Sequence, residues 1–427
     1  MSRSSVVVRR HTHPNAAAPW NAPITCGPHV RGGTVPYAVH VRGSEGLGGA
    51  DLLPLAYGPG DARYDSWSFA DFTTADDHSW LRDRMVAGIL ATATPERGDY
   101  LFPSGGDSTP TPTDAITFAQ GAAGVLWALA QVGARIPEEL VDWLVAAVDR
   151  LCCPGPGLGG GLSGIALALD RLGRHDDADR LWWAVENAAL EDLGTTLAGG
   201  LPGVGLALLE RAPITDGAAL LSKVEAVATE LVGRLGRACQ ATVRPGLWHG
   251  GTGAALFLLH AYELIEDPAL LAPVEALLAH DLHLMGWDSL AQPDHAHAVR
   301  RLGADTAAAG EMALVVHEAM QHLDIGWLGP ARDVLISASE HHLIDHPGLS
   351  QGRAGALVAL QRLYSRASDT TAERLALVRP HLDPLVLRAI PAGHNPAPVP
   401  MELSDGAAGT LLALDDLRTG ERRVPFF

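Results

Sequence analysis

The chain carries many side chains able to do chemistry, and their spacing discards most of the obvious combinations. His317-Glu318-Ala319-Met320-Gln321-His322 has the letters of a metal-binding helix, but its two histidines are five apart. That places them about 140° apart around a helix, so they do not share one metal face. His295 and His297, and His341, His342 and His346, read as polar loops or helix ends. Asp305, Asp405, Glu402 and Glu311 lie near apolar helix starts, but no spacing picks out the carboxylate pair that glycoside hydrolysis needs. Trp127, Trp182, Trp183 and Trp248 could line a peptide groove, with core packing the favoured reading. Cys26, Cys152, Cys153 and Cys239 show no CxxC spacing and no disulfide framework, and suit a reducing compartment.

The elements that would position these residues follow from a repeat. Seven glycine-x-x-glycine signatures or remnants each run into an apolar helical stretch: QGAAGVLWAL, GGLSGIALAL, GGLPGVGLALL, HGGTGAALFLL, TAAAGEMALVV, QGRAGALVAL and DGAAGTLLAL. Their first positions, Gly121, Gly161, Gly200, Gly250, Ala307, Gly352 and Gly406, lie 40, 39, 50, 57, 45 and 54 residues apart. That interval fits one helical hairpin per repeat. Second helices such as PEELVDWLVAAVDRL fall between them, so each unit reads as outer helix, loop, glycine turn and inner helix. Glycine suits loops that pack closely on one another, because it has no Cβ atom. The very apolar inner helices predict an all-α fold, an α/α toroid of six to seven hairpins, over an open solenoid.

Composition agrees. Of 427 residues 47% are hydrophobic and only 5% aromatic, which leans helical. A formal net charge of -18 gives no basic footprint for nucleic acid. Residues 1–75 are rich in glycine and proline and read as an extension, a small β-containing or disordered segment, with the toroid over 76–427. No signal peptide or membrane span is read, and a cytoplasmic location is expected.

From about Trp80 to Phe427 the motifs ILATATPERGDYLFP, FAQGAAGVLWALAQVGA, PEELVDWL, PGLWHGGTGAAL, PGLSQGRAGAL and VPFF occur in order. This order resembles the lanthionine-synthetase C-like (LanC-like) family, and within it the C-terminal cyclase domains of class III lanthipeptide synthetases. The resemblance implies an α/α toroid that adds peptide cysteine thiols to dehydroalanine or dehydrobutyrine, giving thioether bridges.

Zinc-dependent members hold their metal with a Trp-Cys-x-Gly motif in the fifth repeat and a Cys-His-Gly motif in the sixth. Here those positions are Asp305, Ser350 and Gln351. A hydroxyl and an amide do not replace a thiolate and an imidazole, so neither metal nor cofactor is expected. The fourth-repeat histidine of the relatives is matched by His249, and their arginine by Arg301, with Arg300 beside it. The second-repeat aspartate has no match, since PGPGLGG precedes the turn. The chemistry needs a thiolate nucleophile, an orienting pocket and a proton for the enolate that forms. His249 is the candidate proton donor and Arg301 the candidate enolate or peptide contact, with Trp248, Asp305, Gln351 and Asp405 as substrate contacts.

The expected partner is a precursor peptide. No Gly-rich phosphate loop or HRD-type catalytic loop occurs in the chain, so separate kinase-like and lyase-like proteins are expected to dehydrate that peptide. The competing reading is a non-catalytic scaffold that binds the precursor for those enzymes.

Overall fold

The computed structural model describes residues 75–104, 111, 113–150, 154–211, 217–236, 244–287, 308–340, 348–350, 352–365 and 400–419. The proposed extension therefore lies outside the described residues, apart from its last position. Thirteen α-helices and no strands occur among the described residues. Seven are the apolar stretches read from the glycine signatures: α2 (Ala122–Gln131), α4 (Leu162–Arg171), α6 (Leu201–Arg211), α8 (Gly251–Ile265), α10 (Ala309–Ala319), α12 (Arg353–Ser365) and α13 (Ala407–Thr419). The others are α1 (Ala75–Ala91), α3 (Glu138–Arg150), α5 (His175–Glu186), α7 (Gly217–Leu235), α9 (Val274–Leu284) and α11 (Leu328–Ser339).

The inner helices form a closed ring. Each packs on the next, from α2 through α4, α6, α8, α10 and α12 to α13, and α13 returns to α2. The outer helices pack against the inner helix that precedes them in sequence, α3 on α2, α5 on α4, α7 on α6, α9 on α8 and α11 on α10. The packed unit is thus inner then outer, the reverse of the order read from the sequence. That order leaves α1 without a preceding inner helix, and it packs on α13, the last one. The two ends of the fold are thereby held together.

Burial explains the composition. An inner helix touches two neighbours and an outer helix, so apolar residues must cover most of its circumference. In α4, Leu162 through Leu169 are all buried, whereas α5 buries only Ala178, Trp182 and Val185. Trp127 and Trp182 belong to this core, and Trp183, one residue on, is 70% exposed. No helix among the described residues is long and apolar enough to cross a membrane.

The second glycine of each signature sets how closely the ring can pack. A Cβ at Gly164 would overlap the carbonyl oxygen of Leu158 and come within 2.5 Å of Phe118 Cβ in the previous repeat. The same pairing recurs at Gly203 with Leu158 Cβ, Gly253 with Leu197 Cβ, Gly409 with Leu349 Cβ and, across the closure, Gly124 with Leu403 Cβ. Replacing Gly164 by Ala is therefore expected to destabilise the fold by about 3 kcal/mol or more, because backbone cannot yield as a side chain would. Gly194→Ala, with nothing within 4 Å, is the matched control. Urea denaturation of the two variants checks this, and equal midpoints would contradict it.

Candidate functional site

The loops before the inner helices are joined by backbone hydrogen bonds into a ring of their own. Ala119 N donates to Gly159 O (3.0 Å), Gly159 N to Ala198 O (2.9 Å) and Ala198 N to Trp248 O (3.0 Å). On the other side Ser350 N donates to Ser404 O (2.9 Å), and Ser404 N to Ala119 O (3.0 Å). The fifth-repeat loop, which falls between Trp248 and Ser350 in this order, lies outside the described residues.

This ladder assigns a role to each position before the first glycine. The residue two before it is buried and carries the ladder: Ala119, Gly159, Ala198, Trp248, Ser350 and Ser404. The residue one before it is more open: Gln120, Gly160, Gly199, His249 and Asp405. The open positions line one mouth of the toroid, where the inner helices all begin. Helix N-termini carry partial positive charge, so the mouth favours negative charge that develops within it.

His249 and Asp405 both belong to this open set, three repeats apart in the ring of seven. Asp405 accepts from Ser404 Oγ (3.2 Å) and abuts Gly348 of the sixth-repeat loop. Trp248 is placed differently from its expected role. Its indole is 0% exposed and packs in the core. The reason is its place on the ladder, where a side chain must turn inward. Arg301, Asp305 and Gln351 lie outside the described residues, as do the His295 and His341 clusters and all four cysteines.

The turn that carries His249 is held by a residue the sequence did not single out. Gly246 takes a left-handed backbone (φ 103°), and Gly250 N closes the turn on Gly246 O (2.9 Å). Gly250 caps α8 with no side chain to offer. Asp281 of α9 supplies the cap from outside: it accepts from Gly246 N (3.1 Å), Gly251 N (2.9 Å), Thr252 N (2.8 Å) and Thr252 Oγ1 (2.7 Å). The carboxyl is fully buried. Burial lifts it above the usual carboxylate range, while the four hydrogen bonds pull the other way. Its neighbours all donate, so the pocket is built to accept a carboxylate. Two further ionisable side chains, Glu311 and Arg353, are buried in the first turns of α10 and α12, next to the mouth.

No protein-family model matches the sequence. A curated relative, described as a probable SapB synthase of Streptomyces coelicolor (strain ATCC BAA-471 / A3(2) / M145), is 34% identical over 357 residues, which is 79% of this chain and 38% of the relative. Among solved structures, nisin cyclase superposes with a TM-score of 0.59 at 14% identity, over 80% of this chain and 95% of that one. In sequence and fold the chain is similar to LanC-like proteins. It spans well under half the length of the curated relative it matches, and the nisin cyclase likeness shows the shared toroid.

The donors at the family's zinc position do not fit the metal. Ser350 is buried on the ladder and presents a neutral hydroxyl where zinc-dependent members have a thiolate. With Gln351 beside it, the sixth repeat offers neither of its two usual ligands.

Proposed function

We propose that this LanC-like chain is a lanthipeptide cyclase that works without zinc, adding cysteine thiols of a ribosomally made precursor peptide to its dehydroalanine or dehydrobutyrine residues. The observation that carries this is the placement of His249 on a rigidly capped turn at the open mouth of the ring. The thiol loses its proton and its sulfur attacks the β-carbon, forming the C–S bond. The double-bond electrons move onto the α-carbon and adjoining carbonyl as an enolate, and the α-carbon then takes up a proton. One S–H has been added across one C=C, with no net oxidation or reduction.

In this reading His249 delivers the proton, and the helix N-termini around the mouth favour the enolate. Arg301 steadies the enolate oxygen or the peptide, and Asp305, Gln351 and Asp405 contact the peptide. With no metal to lower the thiol pKa from its ordinary value of about 8.5, much of the acceleration comes from holding thiol and alkene together. The relative's description as a synthase supports the assignment of peptide-modifying chemistry. Dehydration is assigned to separate kinase-like and lyase-like proteins, with the whole sequence acting in the cytoplasm.

The test is to incubate the purified chain with a dehydrated precursor peptide and follow loss of free thiol by alkylation and mass spectrometry. Faster thiol loss than in buffer is expected. Tight peptide binding without acceleration would leave the scaffold role in its place.

A further inference from the structure

The string His317 to His322 is not absorbed by the chemistry at the mouth, and the fold gives it a different geometry from the one its letters suggest. Glu318 stands in the last turn of α10, and His322 in the turn just beyond it, where its N–H donates to Ala319 O (3.0 Å). They meet Glu263, in the last turn of the neighbouring inner helix α8. One ligand atom from each of Glu263, Glu318 and His322 can be chosen so that all three lie within 4.8 Å of one another. The group sits at the opposite end of the toroid from the mouth, with Glu263 about 18 Å along the helix axis from Gly251.

The spacing inside the group points to what it holds. His322 Nε2 is buried, has no hydrogen-bond partner, and lies 3.5 Å from Glu263 Oε1. That is long for a hydrogen bond, for which about 2.7–3.2 Å is normal. Two ligands of a tetrahedral ion with bonds of about 2.1 Å, however, stand about 3.4 Å apart. A buried ring nitrogen without a hydrogen-bond partner calls for an explanation. The Tyr262 ring packs edge-on against His322, with centroids 5.4 Å apart, and fixes the imidazole.

The surroundings suit a cation. Both α8 and α10 end here, so the negative ends of two helix dipoles face the group. His260 flanks the other oxygen of Glu263, with Nδ1 3.6 Å from Oε2.

We propose that Glu263, Glu318 and His322 bind one divalent first-row transition ion, which clamps the far ends of the fourth and fifth inner helices. One nitrogen and two carboxylate oxygens suit zinc, cobalt or manganese better than calcium or magnesium, whose sites are built from oxygen. The site is independent of the cyclase assignment and makes no use of the donor positions at the mouth.

The test uses the full chain, stripped with chelator and titrated with Co²⁺ and Zn²⁺. One equivalent of Co²⁺ is expected to give a visible d–d spectrum, and Zn²⁺ to raise the unfolding temperature. Glu318→Gln and His322→Ala should each weaken this binding at least 100-fold, as should the half-exposed Glu263→Gln. Ser350→Ala, on the loops at the other end of the ring, should leave it unchanged. No spectrum and no stabilisation of the parent chain would overturn the proposal. So would binding that survives in the Glu318 and His322 variants, which would place the ion at other histidines.

Discussion

Replacing Asp281 by Ala is expected to destabilise the protein by about 3 to 5 kcal/mol and to release the turn that carries His249. The carboxylate accepts three backbone N–H bonds and one hydroxyl bond in a site closed to water. Each buried donor left without an acceptor costs about 1–3 kcal/mol, and neighbouring losses do not add in full. Asp281→Asn keeps the shape and one acceptor oxygen, so a smaller loss is expected. Thr252→Val, which removes only the hydroxyl bond, should cost about 1 to 2 kcal/mol. The double variant should then be less destabilised than the two single losses together. Urea midpoints for the four variants and the parent check this, and a change below about 1 kcal/mol in Asp281→Ala would contradict the capping role.

The ring was legible in the sequence because the contact that closes it is local and repeated. Each inner helix needs a glycine where the neighbouring loop presses in, and this constraint prints the same letters at Gly124, Gly164, Gly203, Gly253 and Gly409. The place of His249 in its loop was legible for the same reason, at a fixed offset from Gly250. The fifth repeat carries Ala307 in place of the first glycine, and its second glycine, Gly310, packs against Ala356 of α12.

What the repeat did not disclose comes from contacts far apart in the chain. Asp281 reaches the His249 turn from an outer helix. Its one local sign is a charged residue on the apolar stripe of Val274, Leu277, Leu278 and Leu282. Glu263 meets Glu318 and His322 because α8 and α10 are ring neighbours, although 55 residues separate Glu263 from Glu318. The pairing of α1 with α13 likewise becomes visible only once the ring closes.

His249→Ala is expected to lower the rate of thioether formation about 100-fold or more, the usual range for removing a positioned proton donor being about 10²–10⁴. The turn is held by Asp281 and Gly246, so the variant should stay folded and keep its affinity for the peptide. The most direct measurement compares single-turnover rates of thioether formation for the parent chain, His249→Ala and a protein-free control, on one dehydrated precursor after chelator treatment. The parent should run well ahead of the control, with His249→Ala falling most of the way back to it. A parent rate equal to the control, or a His249→Ala rate equal to the parent, would contradict the assignment.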